Sequence, residues 1–449
     1  MLSPNDAILR AQALVSRARQ LGADAADAVY AANASESVGV RLGKLEDIER
    51  SEAEHIGLRV FVGARSASIA SSDLSAAALD ELAVRALAMA AAAPEDPYAG
   101  LAPEDMLLQG PPPELDLADP AEPTPAQLRA MAEEAEDAAR SVAGVTNSEG
   151  GSAGAGAAVM ALATSHGFAG GYAGTSRSVS ASVVAGGEGG AMQRDAHWRS
   201  ARHGADLPGA AEIGRLAGER AVARLNPARV KSGPAPVVFD PRVGGSLVGH
   251  LVGAMSGTAI ARRASFLLGR EGAQLFDSAI TITDDPHLAR GLRSRPFDGE
   301  GLPTARRDLV AGGALTGWLM DSAAARQLGA RPTGHAGRGV SGAPGVATSN
   351  LVLAAGTASP AELMADISEG VYITELIGAG VNGVTGDYSR GAAGFRIVNG
   401  EIGEAVAEFT IAGNLIDMFA ALTPANDLEW YRMVNVPTIR VDGMMIAGD

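Results

Sequence analysis

The sequence contains no cysteine among its 449 residues, which excludes disulfide bonds, thiolate metal ligands and a cysteine nucleophile. Aromatic residues make up only 4% of the chain, so its core must be built from aliphatic side chains and closely packed backbone. Lysine occurs only at Lys44 and Lys231, and the formal net charge is −16. Because such a chain is poorly suited to neutralise phosphates, we expect no direct binding of nucleic acid or of an anionic membrane surface.

Long apolar runs are also missing. No stretch of the sequence approaches the roughly 20 apolar residues of a membrane-spanning helix. The N-terminal run MLSPNDAILRAQ has neither the basic region nor the apolar region of a signal peptide. We therefore expect a soluble, cytoplasmic protein, and the length predicts two to four domains.

Helix-like and strand-like patterns occur in mixed clusters rather than in a regular βαβ series, which predicts an α+β fold. Residues 1–95 predict an N-terminal domain with a helix and an antiparallel meander, including short strands at 26–34 and 35–42. A segment rich in proline and acidic residues, 96–123, is typical of a linker. Residues 124–229 then form a central domain of mixed structure, and 230–449 a β-rich C-terminal domain.

The helical zinc motif of metalloproteases is absent from the sequence. That motif needs two histidines about one helical turn apart, with a glutamate directly after the first. None of the seven histidines is followed by glutamate, and the closest pair, His197 and His203, is six residues apart. Dispersed ligands remain an alternative, for example His287 with Asp284 and Asp285, although that run more simply predicts a turn.

Two further motifs match only formally. The run 150–154 reads GGSAG, with Ser152 in the place of a hydrolase nucleophile, but its flanks do not predict the required strand, turn and helix. The runs 337–342 and 378–383 both match GxGxxG. The first has no predicted strand before it, and the second follows a strand but runs into VTGDYSRG rather than the helix that would bind a pyrophosphate. We therefore expect no dinucleotide site.

The segment 370–415 is the most informative part of the chain. A β-rich run, 371–377, enters a glycine-rich loop at 378–394, and Asn399-Gly400 then joins two alternating runs as a predicted hairpin. The glycines could serve only the turns. Alternatively, an extended peptide could add to the 371–377 strand. The side chains that would then contact a peptide or a partner are Tyr372, Thr374, Asn382, Thr385 and Tyr388.

The segments 45–73 and 370–415 resemble the N-terminal and C-terminal signatures of the TldD/PmbA family, which is labelled "modulator of DNA gyrase" and classed as metallopeptidases. The resemblance spans nearly the whole chain. TldD-type members carry an HExxxH helix just inside the C-terminal domain and a cysteine ligand further on. Here the matching run, GGSLVGHLVGAMSG, puts Gly249, His250 and Ala254 in the His, Glu and His places. The chain therefore resembles the PmbA (TldE) branch, which lacks these ligands.

This resemblance implies a non-catalytic subunit of a cytoplasmic, heterodimeric zinc metallopeptidase. No cofactor is expected in this chain, and zinc is expected in a TldD-like partner that carries HExxxH. The pair would degrade or process unfolded peptides, and the isolated chain could form a homodimer. Two alternatives stay open. One is a stand-alone metallopeptidase with dispersed ligands; the other is a regulatory factor that binds gyrase or a toxin–antitoxin system.

Overall fold

A computed structural model of the chain describes residues 1–187 and 191–448. The fold is α+β, as predicted, with an N-terminal helix, a large antiparallel sheet and a β-rich C-terminal part that contains a barrel. The α-helices are α1 (Pro4–Gln20), α2 (Ala76–Ala92), α3 (Pro125–Arg140), α4 (Ala210–Ala223), α5 (Pro241–Ala254), α6 (Gly257–Ala261), α7 (Ser322–Leu328), α8 (Pro360–Met364) and α9 (Leu415–Ala420).

The strands fall into a first sheet, a barrel sheet and two smaller sheets. The first ten are β1 (Ala25–Arg41), β2 (Lys44–Val62), β3 (Arg65–Ser71), β4 (Val145–Thr164), β5 (Ala169–Ala185), β6 (Gln193–Ala201), β7 (Gly233–Phe239), β8 (Ile282–Asp285), β9 (Arg307–Ala311) and β10 (Ala314–Leu315). The others are β11 (Ala336–Gly337), β12 (Gly345–Val346), β13 (Asn350–Leu353), β14 (Glu369–Ile377), β15 (Asp387–Val398), β16 (Glu401–Asn414), β17 (Leu422–Pro424), β18 (Val434–Asn435) and β19 (Ile439–Ala447).

The first sheet has the order β3-β2-β1-β4-β5-β6 and is antiparallel throughout. The prediction of two short strands at 26–34 and 35–42 is wrong, because β1 is one strand of 17 residues. Its pairing with β2 has one bulge, where the extra residue Glu46 of β2 lies opposite the step from Gly39 to Val40. The pairing of β1 with β4 is continuous across the same step. Since β1 pairs with β2 on one edge and β4 on the other, the sheet runs unbroken from the N-terminal to the central part of the chain.

Side-chain alternation along β1 separates the two faces of this sheet. Ala26 and Ala28 pack with α1 and α2, and Val38 and Val40 pack with α3 and α4, so these four helices cover the same face. Val29 points to the other face, where it packs in a cluster with Phe297 of the C-terminal part. The C-terminal part therefore sits on the face that the helices leave open.

The C-terminal part is built around a sheet of order β16-β15-β14-β7-β19-β17 that closes into a barrel by the pairing of β16 with β19. The hairpin predicted at Asn399-Gly400 is confirmed, with β15 and β16 on either side. Both turn residues have positive φ, 51° and 83°, which is the geometry that favours Asn-Gly in a tight hairpin.

The segment 96–123 is held against the rest of the chain by hydrogen bonds to its main-chain carbonyl groups. Arg326 donates to the carbonyl oxygens of Tyr98, Gly100 and Leu101 at 2.7 to 3.0 Å. Further along, the amide of Thr175 in β5 donates to the carbonyl of Leu117 at 2.9 Å. This proline-rich segment therefore acts as a fixed strap between the two parts of the fold, whereas flexible linkers lack such bonds.

A buried ionic cluster joins the first sheet to the C-terminal part. Asp27 of β1 accepts hydrogen bonds from Arg59 of β2, at 2.6 Å, and from Arg338, at 2.9 Å. Asp27 and the Arg338 side chain are 2% and 0% exposed. Next to this cluster, a Cβ on Gly57 would lie 1.7 Å from the carbonyl oxygen of Val340, so the two backbones meet there only because residue 57 is glycine.

No helix among the described residues is both long and apolar enough to cross a membrane.

We expect Asp27→Ala to lower the free energy of unfolding by about 3–5 kcal/mol, because it leaves two buried guanidinium groups without their carboxylate. Urea denaturation measures the change. Asp105→Ala is the matched control, since Asp105 pairs with Arg331 at 2.6 Å but both side chains are 68% exposed, and such pairs contribute at most about 1 kcal/mol. Equal losses in the two variants would show that the buried cluster does not join the two parts.

Burial raises the pKa of Glu300 to about 7, although a hydrogen bond from Ser322 favours the ionised carboxylate and lowers the pKa. A raised carboxyl pKa means that the folded protein holds a proton that the unfolded chain releases, so stability falls as pH rises from about 4.5 to 7. Glu300→Gln keeps the acceptor and removes the titration. We expect its unfolding free energy to exceed the wild-type value at pH 7.5 but not at pH 4.5. A difference that is independent of pH would contradict this account.

Candidate functional site

Helix α5 carries Gly249, His250 and Ala254, the residues predicted to occupy the metal-motif places of the resembling family. The helix begins at an N-cap, Asp240, whose carboxylate accepts from the amide of Arg242 at 2.8 Å, and Pro241 occupies the first helical position. Leu247 and Leu251 anchor it in the C-terminal core. The 14-residue helix is therefore well formed and well packed.

The opposite side of α5 carries Gly245, Gly249 and Gly253, one helical turn apart. Gly249 and Gly253 are exposed, and a Cβ built at either would meet nothing within 4 Å. Packing therefore does not require glycine at these two positions, and the backbone of α5 is open to close approach from outside. Ala254, in the third motif place, is buried and offers only a methyl group.

His250 and Tyr388 are brought together by α5 and β15. Their ring centroids lie 6.0 Å apart, with an interplanar angle of 75°, a favourable edge-to-face contact. Nε2 of His250 and the hydroxyl of Tyr388 are both buried and find no hydrogen-bond partner among the described residues. Burial and the nearby Arg390 lower the pKa of His250, and burial raises the pKa of Tyr388 to about 12. Both rings are therefore neutral at physiological pH.

Asn382 and Thr385 lie in the exposed loop that joins β14 to β15. The Asn382 side chain accepts from the amides of Val384 and Thr385, at 2.9 and 3.3 Å. The Thr385 hydroxyl donates to the Asp387 carboxylate at 2.7 Å. These local bonds stabilise a turn, and they leave the outer surfaces of both side chains in solvent. In the same loop, a Cβ on Gly380 would lie 1.9 Å from the Ser389 carbonyl oxygen.

Tyr372 and Thr374 lie two residues apart on β14. The Tyr372 hydroxyl donates to the Asp240 carboxylate at 3.1 Å and so links β14 to the start of α5. Thr374 sits at a bulge and is buried, and its hydroxyl finds no partner among the described residues. Residues 371–373 pair with β15 on one edge and with β7 on the other. An added peptide strand therefore cannot pair at 371–373, whereas residues 375–377 pair with β15 alone.

The formal motifs have structural explanations. Ser152 lies inside β4, opposite Gly39 and Ser180, so the strand-turn-helix of a nucleophile elbow is absent at 150–154. The GxGxxG run at 378–383 leads through a turn into β15, without a helix. The run 337–342 begins in the two-residue strand β11 and likewise precedes no helix.

The proposed acidic ligands near His287 are engaged elsewhere. The Asp285 carboxylate accepts from the His287 amide at 2.8 Å, which is the predicted turn. The Asp284 carboxylate accepts from the Ser349 amide and lies 3.3 Å from Nε2 of His335. Within 1–187 and 191–448, no group of three or more histidine, aspartate or glutamate side chains has the arrangement of a metal site.

One polar cluster was not found by sequence reasoning. It surrounds His197 and combines residues of β6, α4, α5 and the segment before β18. The only local signal is the alternation of Asp195, His197 and Arg199 along β6, which puts three polar side chains on the face that packs against α4. The other members come from distant parts of the sequence, so no spacing rule brings them together.

Family models match most of the chain and describe a class of metallopeptidase domains. They are the PmbA/TldA metallopeptidase domain 1 at residues 26–90, its central domain at 118–225 and its C-terminal domain at 232–448. The fold and the helix at the motif position thus define a metallopeptidase relative without a zinc motif. The chain belongs to the PmbA/TldD family.

Individual relatives agree with this assignment. The chain is 38% identical to metalloprotease PmbA of Escherichia coli O157:H7, over 95% of this chain and 92% of that protein. It is 35% identical to a metalloprotease PmbA homolog of Haemophilus influenzae, over 92% and 90% of the two chains.

Solved structures share the whole fold. A protein from Bacteroides thetaiotaomicron described as a candidate modulator of DNA gyrase superposes with a TM-score of 0.90 at 27% identity, covering 98% of both chains. TldE from Thermococcus kodakarensis superposes with a TM-score of 0.86 at 22% identity, covering 98% of this chain and 100% of that one. At that identity the second likeness shows the fold alone.

Removal of the Tyr388 hydroxyl, compared with removal of the Tyr372 hydroxyl, tests whether the Tyr388 hydroxyl lacks a hydrogen-bond partner. Tyr388→Phe removes a hydroxyl without a partner, so we expect the free energy of unfolding to stay constant or to rise by up to about 1 kcal/mol. Tyr372→Phe is the matched control and should lower it by about 1–2 kcal/mol, because its hydroxyl donates to Asp240. A loss of more than about 1 kcal/mol in Tyr388→Phe would reveal a bound partner at that hydroxyl.

Proposed function

We propose that this chain is the non-catalytic, PmbA/TldE-like subunit of a cytoplasmic heterodimeric zinc metallopeptidase. Its partner is a TldD-like subunit that carries HExxxH and binds the zinc, and the complex degrades or processes unfolded peptides. The supporting facts are the membership in a metallopeptidase family and the names of the relatives at 38% and 35% identity, which are metalloproteases.

The state of α5 is the observation that carries the proposal. The helix keeps its cap, its packing and its place in the barrel domain, while the three motif places hold Gly249, His250 and Ala254. Gly249 has no side chain, Ala254 offers no donor atom, and His250 packs its ring against Tyr388. A zinc site of the family type needs several nitrogen, oxygen or sulfur ligands at one point, and this helix supplies at most one.

The surface around α5 suits a contact with a partner or a peptide backbone. Gly249 and Gly253 allow close approach. Ile377 at the end of β14 and Val384 in the adjoining loop are 58% and 57% exposed. We assign direct contact to the exposed Asn382 and Thr385 of this loop. Tyr372, Thr374 and Tyr388 are largely covered, and of these Tyr388 contacts His250 behind this surface, whereas the Tyr372 hydroxyl bonds Asp240 at the start of α5.

The test is hydrolysis of an unfolded peptide by the isolated chain, by the HExxxH-bearing relative and by an equimolar mixture, each with and without a chelator. We expect hydrolysis only in the mixture and its complete loss on chelation. A mixture made with a partner variant whose motif glutamate is replaced by glutamine controls for contaminating proteases and should be inactive.

Two results would contradict the proposal. Chelator-sensitive hydrolysis by this chain alone would indicate a stand-alone enzyme with dispersed ligands. Tight binding to gyrase or to a toxin–antitoxin protein, with no hydrolysis in any mixture, would instead support a regulatory role. The isolated chain is expected to be monomeric or homodimeric without activity in either state.

A further inference from the structure

A cluster of basic side chains is buried where the edge of the first sheet meets the C-terminal part. We call it the arginine cluster. It lies apart from the motif positions, because Arg242 in the first turn of α5 is about 12 Å from His250 along the helix axis. Its members are His197 and Arg199 of β6, Arg220 of α4, Arg242 of α5, and Arg432.

His197 is the centre of the cluster and is only 2% exposed. Nη1 of Arg220 donates to Nδ1 of His197 at 2.6 Å. Burial, followed by the charges of the surrounding arginines, lowers the pKa of His197 to about 3, so the ring is neutral. Since Nδ1 accepts, the proton of the neutral ring resides on Nε2. This buried N–H finds no acceptor among the described residues.

Two arginines of the cluster also have a buried N–H group without an acceptor. Nη1 of Arg199 and Nε of Arg432 are buried and find no acceptor within 1–187 and 191–448. Their guanidinium groups are fixed by the Tyr431 ring, whose centroid lies 3.6 Å from the Arg199 group and 4.7 Å from the Arg432 group. Stacking holds the two planes but satisfies no N–H, so the donors remain available to a ligand.

The neighbouring carboxylates do not accept hydrogen bonds from these three donors. Asp195 lies 3.5 Å from Arg224 and 3.4 Å from Arg242, and Asp240 pairs with Arg242 and accepts from Tyr372. Glu375 pairs with Arg224. Glu429 reaches Arg199 only at 3.6 Å and is 68% exposed. Arg220 and Arg432 make no ion pair with a described residue.

We propose that the arginine cluster binds a small oxyanion, a carboxylate or a phosphate, which accepts from Nε2 of His197, Nη1 of Arg199 and Nε of Arg432. A buried donor without an acceptor is unfavourable. The Tyr431 ring holds the guanidinium groups of Arg199 and Arg432, and the charges of both act on His197, so an acceptor bound between them would satisfy all three donors. Arginine planes bind carboxylate and phosphate oxygens through paired N–H groups. The net charge of −16 elsewhere on the chain opposes unspecific anion binding, so a bound anion requires a specific site.

The two sources of such an anion are free phosphate and the terminal carboxylate of a peptide. The second source rests on the proposed peptidase function, whereas the first does not. The experiment therefore has three arms on the full chain at fixed ionic strength. Isothermal titration measures the binding of inorganic phosphate, of a short unfolded peptide with a free C-terminus, and of the same peptide with a C-terminal amide.

We expect Arg199→Gln and Arg432→Gln each to weaken binding by roughly ten- to a hundredfold, because each removes a charge-assisted donor. Arg199→Lys keeps the charge but loses the planar fork and should recover only part of the loss. Arg215→Gln is the control, since Arg215 lies on α4 but pairs with Glu219 at an exposed position, and it should bind like the wild type. Circular dichroism verifies folding, and Arg432→Gln serves alone if Arg199→Gln does not fold.

Binding of phosphate alone supports the site and assigns it to a free anion. Binding of the acid peptide but not of the amide supports the site and assigns it to a peptide terminus, whether or not hydrolysis by the subunit pair is observed. Equal binding of acid and amide peptides with no binding of phosphate would overturn the proposal. So would the absence of binding in every arm, or binding that all three arginine variants leave unchanged, since the donors would then be satisfied by water.

Discussion

The contact of Asp27 with Arg59 and Arg338 is the constraint on which the arrangement of the chain depends. A buried carboxylate is tolerated only with its charge partners, and here the partners come from β2 and from the segment after β11. The C-terminal part is thereby fixed on the face of the first sheet that α1 to α4 leave open. That placement brings the start of α5 to the edge strand β6, where the arginine cluster forms.

Helix α5 has two ends with different chemistry. Its first turn carries the Asp240 cap, Arg242 and the bond from Tyr372, so this end is fixed by polar contacts. Its last turns carry Gly249, His250 and Gly253 beside a glycine-rich loop, and this end is open to approach. In the proposed function this open end is a contact surface, because Gly249 and Gly253 present backbone and His250 is the one side chain there with a nitrogen donor atom.

Sequence patterns predicted the local features well, because they depend on neighbouring residues. The Asn399-Gly400 hairpin and the turn at Asp285 both follow from short-range chemistry. The single strand β1 was missed because its small and polar residues at 31–37 lack the apolar alternation of a strand. The Asp27 cluster and the arginine cluster could not be predicted from sequence. Arg338 and Arg432 are more than 200 residues from Asp27 and His197 along the chain, and only the fold brings them together. Likewise, the burial of Tyr388 follows from packing on α5.

In the proposed function this chain contributes no zinc ligand to a subunit pair that binds zinc. Metal analysis of the purified pair, compared with each isolated chain after equal exposure to zinc, is the experiment to make first. We expect zinc in the pair and in the HExxxH-bearing chain, its loss when a motif histidine of that partner is replaced, and none retained by this chain. Zinc retained by this chain alone in stoichiometric amount, and lost on His250→Ala, would contradict it.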